Sequence, residues 1–122
     1  MQIYYNLLNP SAGLAVPPGF RGYDFRQIIN LAAARDMGVV VIRALAAGAL
    51  GGAAARTGYA APTIGGPAVP GSKYQADEAR AKKLDFLVAT DVASLPQVAV
   101  RFALMHPGVS MVLVWGFPTW SR

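Results

Sequence analysis

Residues 39–45, VVVIRAL, decide the fold of this 122-residue chain. Four β-branched residues in a row precede Arg43, and such a continuous apolar run is typical of a parallel strand buried on both faces. The segment before it, residues 23–38, is predicted to be a helix with Asp24 as N-cap and Gly38 just past its end. Its apolar residues recur at helical spacing: Phe25, Ile28, Ile29, Ala32, Ala33 and Met37. A helix followed at once by a buried strand indicates a βαβ unit.

Two further strands are predicted on either side of this unit. Residues 2–9, QIYYNLLN, form a β-branched and aromatic run that ends in the turn residues NPSAG. Residues 109–115, VSMVLVW, form a second continuous apolar run. Alternation along the first strand allows only one of Tyr4 and Tyr5 to enter the core, although either could line a substrate pocket.

A pair of helices is predicted between the second and third strands. Residues 74–90 have an apolar side formed by Ala79, Leu84, Leu87 and Val88. Residues 94–106 begin with Ser94 as N-cap and Pro96 in the first turn, and PG stops the helix. His106 is expected to be a solvated residue near the dipole at the end of this helix. Residues 46–73, rich in glycine and proline, form a long excursion of the kind usually reserved for function or disorder.

The order strand, helix, strand, helix pair, strand predicts an α/β fold. Right-handed crossovers place three parallel strands side by side with the helices on one side. The other face of this sheet and both of its edges are then left uncovered, although the strands are apolar on both sides. We therefore expect both ends of the chain to be cut edges of a larger structure.

Composition excludes several classes of function. The chain is 54% hydrophobic and 14% charged, which is typical of a globular domain. Its net charge of +5 is dispersed apart from residues 79–83, ARAKK, so nucleic acid is not expected as a partner. The absence of cysteine excludes disulfides, a cysteine nucleophile and thiolate metal sites. The longest apolar run is broken by Arg43 and glycines, so no membrane span is expected, and without an export signal the cytoplasm is the default location.

Four segments together resemble the C-terminal part of an aldo/keto reductase. They are YYNLLNPSAG at 4–13, GFRGYDFRQIINLAAARDMGVVVIRALAAGALGG at 19–52, GSKYQADEARAKKL at 71–84 and SLPQVAVRFALMHPGVSMVLV at 94–114. The resemblance implies a partial (β/α)8 TIM barrel in which residues 1–114 supply the sixth, seventh and eighth strands, with self-association completing the structure. Residues 115–122, WGFPTWSR, depart from the family pattern and are expected to be a tail read in a shifted frame.

The same resemblance implies a function. The family reduces a carbonyl substrate with NADP or NAD, using a tyrosine, lysine, aspartate and histidine of the first four strands, positions that this chain does not match. Its cofactor-binding positions carry over as Gln2, Ile42, Arg43, Ala44, Leu45 and Gly48. Gln2 corresponds to a residue that contacts the nicotinamide amide, and Ile42 to one that is aromatic in many members. Backbone N–H groups near the glycines are expected to suit a pyrophosphate.

Two alternatives remain. The chain could be a self-associating scaffold, a homo-oligomer in which copies pair their strand edges. More remotely, it could be a small hydrolase that joins Ser94 or Ser110 to His106, although no nucleophile-elbow sequence supports this. The run AAGALGGAAA at 46–55 lacks the lysine and hydroxyl of a nucleoside triphosphatase loop. No metal site is expected.

Overall fold

The computed structural model describes residues 1–51 and 69–114. Within these residues the elements are three strands, three α-helices and two single turns of 3₁₀-helix. In chain order they are β1 (Gln2–Tyr4), α1 (Ile28–Ala34), β2 (Val40–Ile42), a 3₁₀ turn (Ala46–Gly48), α2 (Tyr74–Lys82), a second 3₁₀ turn (Asp85–Leu87), α3 (Leu95–Met105) and β3 (Met111–Val112).

The three strands form one parallel sheet in the order β1-β2-β3. In the middle of the sheet Ile3 pairs with Val41, and Val41 pairs with Val112. This arrangement confirms the predicted α/β unit of parallel strands joined by helices.

The two faces of the sheet have different surroundings. Ile3, Val41 and Val112 pack with Ile29, Ala32 and Ala103 of the helices in the main core, where Val41 is fully buried. Alternation turns the other strand residues to the opposite face. This open face is formed by the strand residues Gln2, Tyr4, Val40, Ile42 and Met111, and Leu113 continues it just past β3. Met111 and Leu113 remain 56% and 46% exposed, so the open face is an apolar surface in contact with solvent.

A second core lies beyond the end of β2. It joins the turn after β2 to α2 and α3 through Ala46, Ala49, Leu50, Ala81, Leu95 and Ala99. Helix α3 contributes Ala99 to this core and Ala103 to the main core, so it connects the two. The small alanine side chains allow the helices to approach closely, which fixes the turn after β2 against the helical layer.

Helix α1 is shorter than predicted at its start. It begins at Ile28, and Gln27, not Asp24, occupies the N-cap position. The Asp24 carboxylate instead accepts a hydrogen bond from the Arg26 backbone N–H at 2.8 Å. Arg26 and Gln27 have positive φ angles of 54° and 56°, so the chain makes a local turn before the helix. The physical reason is that aspartate competes for nearby backbone N–H groups in non-helical conformations.

The end of α1 also differs from the prediction. Asp36, not Gly38, takes the left-handed conformation there, with φ 54°. Its N–H donates to the Ala33 carbonyl, and the Met37 N–H donates to the Ala32 carbonyl. These two bonds form a Schellman motif. Because the helix stops at this point, Met37 is exposed instead of packing in the core.

The predicted helix over 74–90 ends at Lys82, and its buried side was predicted only in part, because Leu84 packs against the second core as expected. Asp77 and Ala81 are buried, whereas Ala79 is exposed and Val88 is 38% exposed. Asp77, Ala81 and Leu84 follow the helical spacing i, i+4, i+7, which excludes Ala79 from their face. Helix α3 agrees with the prediction, because Ser94 is at the N-cap position and a proline lies in the first turn.

Candidate functional site

The proposed cofactor residues gather where β1 and β2 end. Ile42, the last residue of β2, pairs with Tyr4, the last residue of β1. Gln2 pairs with Val40, so it lies on the same open face but two residues nearer the start of the sheet. Gln2 and Ile42 are therefore diagonal neighbours, and Tyr4 is the lateral neighbour of Ile42.

Arg43 follows β2 directly and places a positive charge beside this face. Its guanidinium carbon lies 5.0 Å from the centroid of the Tyr4 ring. The ring of Phe25 meets Tyr4 edge-on, with centroids 6.2 Å apart. A guanidinium over an aromatic face is attracted by the ring quadrupole, which holds the Arg43 side chain against Tyr4.

The backbone after Arg43 folds into a tight turn. Arg43, Ala46 and Ala47 have φ angles of 56°, 51° and 58°, a left-handed conformation that costs non-glycine residues energy. The turn uses its own amides: those of Ala46, Gly48, Ala49, Leu50 and Gly51 donate to carbonyls of residues 43–48. These five N–H groups are therefore occupied within the turn. The expectation that backbone N–H groups of this stretch suit a pyrophosphate stays a prediction.

Three of the residues proposed to bind the cofactor have no polar side chain and are held by packing. Ala44 is buried in the main core, and Leu45 packs against the second core. Gly48 has φ 99°, and a Cβ atom there would lie 3.2 Å from the hydroxyl oxygen of Tyr74 on α2. Both features favour glycine at this position.

Two residues at the site were not assigned to the cofactor in the sequence analysis. Tyr4 could have been found by alternation, because it lies two residues after Gln2 on the same face. Asn6 is buried and donates from Nδ2 to the Arg43 carbonyl at 3.0 Å. Its only sequence signal is a polar residue inside the apolar run YYNLL.

Tyr5 lies on the helical side of the sheet and confirms the prediction that one tyrosine of the pair enters the core. It is 2% exposed, and its ring packs against Phe102 and meets His106 edge-on. Burial raises the pKa of the Tyr5 hydroxyl above its ordinary value, because the phenolate is poorly solvated in the core.

His106 is at the C-cap position of α3, as predicted, but it is half-buried and hydrogen-bonded instead of solvated. Its Nε2 lies 3.1 Å from the Gly13 carbonyl oxygen, and its Nδ1 accepts from the Gly108 N–H at 3.0 Å. The Ser110 hydroxyl accepts instead from the Val39 N–H. Ser94 is at the other end of α3, about 18 Å away at 1.5 Å per residue. This arrangement offers no support to the hydrolase alternative.

An open cleft of about 350 Å³ adjoins the turn after β2. It lies between that turn, the first turns of α3 and Val114, two residues past the end of β3. Its lining is formed by Leu45, Pro96, Gln97, Val100, Arg101 and Val114. The Arg101 guanidinium donates to the Asp91 carbonyl at 3.2 Å, which orients it along the surface of α3.

The described part of the chain offers neither a metal cluster nor a membrane-spanning helix. Residues 1–51 and 69–114 contain no group of three His, Cys, Asp or Glu side chains that could hold a metal ion. None of the helices described is both long and apolar enough to cross a membrane.

Comparison with known families agrees with this architecture. The model of the Aldo/keto reductase family matches residues 1–117. The chain belongs to the aldo/keto reductase family. Neither the curated proteins nor the solved structures compared with it gave a match. Members of this family are oxidoreductases with a TIM-barrel fold, and the parallel strands and helices described above are an α/β piece of that kind. Residues 52–68 and 115–122, which include most of the long excursion and the divergent tail, lie outside the described residues.

Proposed function

We propose that this aldo/keto reductase chain forms the nicotinamide-binding side of an NAD(P)H-dependent carbonyl reductase. The observation that carries the proposal is the meeting of three groups where β1 and β2 end. The exposed carboxamide of Gln2, the apolar side chain of Ile42 and the guanidinium of Arg43 lie on or beside one open face. Family membership supplies the chemical context.

Each group suits a different part of the cofactor. The carboxamide of Gln2 can both donate to and accept from the carboxamide of a nicotinamide. Ile42 offers an apolar surface to the ring, and Arg43 offers a positive charge to an anionic phosphate. Ala44, Leu45 and Gly48 shape the turn that carries Arg43. When bound, the cofactor supplies the hydride that reduces a carbonyl carbon to an alcohol.

We assign no proton donor to the described residues, so we expect little or no turnover by the chain alone. Positioning and proton donation each contribute large factors to carbonyl reduction, and proton donation needs a correctly placed acid. The proposal retains the cytoplasm as the location, which fractionation of cells would test.

A titration of reduced cofactor tests the proposal. The fluorescence of NADPH and of NADH should change saturably with added protein, and Gln2→Ala should weaken binding about tenfold, the equivalent of one good hydrogen bond. Gln75→Ala is the matched control, because Gln75 is an exposed glutamine on α2. The proposal would be contradicted if the wild-type chain showed no saturable binding of reduced cofactor, or if both variants bound it equally well. Turnover of an aldehyde in the same sample would show that a proton donor is present after all.

A second candidate function is self-association as a scaffold. The open face exposes Met111 and Leu113, and β1 and β3 end the sheet among the described strands. Exposed apolar faces and strand edges favour contact with another chain, and two-fold symmetry would cover both copies. Size-exclusion chromatography with light scattering should then give a mass of at least two chains. A stable monomer that unfolds cooperatively would rule out this candidate.

A further inference from the structure

Asn6 is a polar residue held almost completely inside the protein, with 5% of its surface exposed. Its Oδ1 accepts hydrogen bonds from the N–H groups of Leu8 and Asn9, both at 2.9 Å. Two donors at Oδ1 fix the orientation of the carboxamide, so Nδ2 is the group that faces Arg43. The backbones of Asn6 and Asn9 also exchange two hydrogen bonds, which makes residues 6–9 a rigid turn.

The partner of Asn6 is the backbone of the strained turn after β2. The Arg43 carbonyl accepts from Asn6 Nδ2 at 3.0 Å and from the Ala46 N–H at 2.9 Å. Arg43 has a positive φ of 56°, a left-handed conformation that is strained for a residue with a side chain. Such a conformation persists where surrounding contacts hold it. The bond from Asn6 is a contact of this kind, and it joins two turns that are 37 residues apart in sequence.

We infer that Asn6 is a positioning residue for the nicotinamide-binding face. It sets the backbone conformation from which the Arg43 side chain reaches over Tyr4. Without the bond, Arg43 can relax toward an ordinary φ, and its guanidinium then leaves the end of β1. The inference rests on the proposed function, although the clamp between Asn6 and Arg43 can be tested separately.

Asn9 provides a matched comparison within the same loop. It is 7% exposed, its Oδ1 accepts from the Ser11 N–H and hydroxyl, and its Nδ2 donates to the Tyr23 carbonyl. Asn9 therefore resembles Asn6 in burial and hydrogen bonding, but these side-chain bonds lead away from Arg43. A purely structural role of the loop would make the two residues equivalent.

The test compares Asn6→Ala with Asn9→Ala in the full chain. Urea unfolding should show that the two variants lose similar amounts of stability relative to the wild-type chain. Hydrogen exchange at the Ala46 amide should accelerate at least tenfold in Asn6→Ala only, because that amide shares the Arg43 carbonyl with Asn6. The dissociation constant for NADPH should rise about tenfold in Asn6→Ala and less than twofold in Asn9→Ala. Equal effects of the two variants on exchange and binding would overturn the inference.

A second variant distinguishes loss of the bond between Asn6 and Arg43 from general unfolding of the chain. Asn6→Asp keeps the oxygen that accepts from Leu8 and Asn9 but removes the donor to Arg43. It should reproduce the fast exchange at Ala46 and the weaker binding, and wild-type behaviour of Asn6→Asp would count against the clamp. If the wild-type chain binds no reduced cofactor, the proposed function fails. The exchange measurement still decides whether Asn6 holds the turn.

Discussion

His106 is hydrogen-bonded to Gly13 across 93 residues of sequence, with 3.1 Å between Nε2 and the carbonyl oxygen. Because Nδ1 accepts from the Gly108 N–H, the proton of the neutral ring is assigned to Nε2, which donates to Gly13. The bond attaches the end of α3 to the loop after β1. It therefore helps to hold the helical layer on the sheet that carries the proposed site.

Replacement of His106 by alanine should destabilise the chain by about 1–3 kcal/mol. The variant loses the donor to Gly13 and the edge contact with Tyr5, and it leaves a buried carbonyl without this partner. Urea unfolding at fixed protein concentration measures the effect. Met105→Ala is the control, because Met105 precedes His106 and is 80% exposed. Long-range ¹H–¹⁵N NMR should show the proton on Nε2, and a proton on Nδ1 would contradict the assigned bond.

Replacement of Gly13 by alanine should also destabilise the fold, by about 1–3 kcal/mol. A Cβ atom there would lie 2.7 Å from His106 Cδ2 and 3.0 Å from two carbons of the Tyr5 ring. Gly38→Ala is the matched control, because its nearest atom would be Ser110 Oγ at 3.7 Å. The cost should shrink when His106 is alanine as well, because the two residues are in contact. Strictly additive costs in the double variant would argue against this contact.

Stability should fall at high pH through Tyr5. Burial raises the pKa of its hydroxyl in the folded state, so above the unfolded value of 10.0 the folded chain binds more protons than the unfolded chain. The stability contributed by the neutral Tyr5 hydroxyl is fully present below pH 10.0, and it is lost as the pH rises through the pKa of the folded state. Unfolding free energies measured between about pH 9 and pH 11 should decrease more steeply for wild type than for Tyr5→Phe. Parallel curves would show that the hydroxyl is solvated.

Replacement of Asp36 by glycine should stabilise the chain by up to about 1 kcal/mol. Asp36 is left-handed, with φ 54°, at the end of α1, where glycine has no Cβ to strain. Arg35→Gly is the control and should destabilise, because Arg35 has a negative φ of −108° and glycine there adds freedom to the unfolded chain. Thermal unfolding measures both. A lower midpoint for Asp36→Gly would mean that its carboxylate contributes more than the strain costs.

Local sequence patterns predicted helix and strand positions better than they predicted helix ends. Helix α3 agrees because Ser94 and Pro96 are local signals for its start. Helix α1 begins later than predicted because the Asp24 carboxylate accepts a hydrogen bond from the Arg26 N–H instead of capping the helix. In α2 the predicted buried residue Ala79 is exposed, since the packed face follows Asp77 and Ala81. The end of a helix depends on which of several competing bonds the packed structure allows.

By itself, the sequence determined the parallel order of the strands, the open apolar face and the family, because hydrophobic periodicity and family motifs are properties of neighbouring residues. Only the tertiary structure decided that Tyr4 and Asn6 belong with Arg43, and that His106 belongs with Gly13. It also bonds the amides of residues 46 and 48–51 to carbonyls within the turn after β2. The physical reason is that these hydrogen bonds and ring contacts join distant segments, whose relative positions are set by the packing of the helices on the sheet.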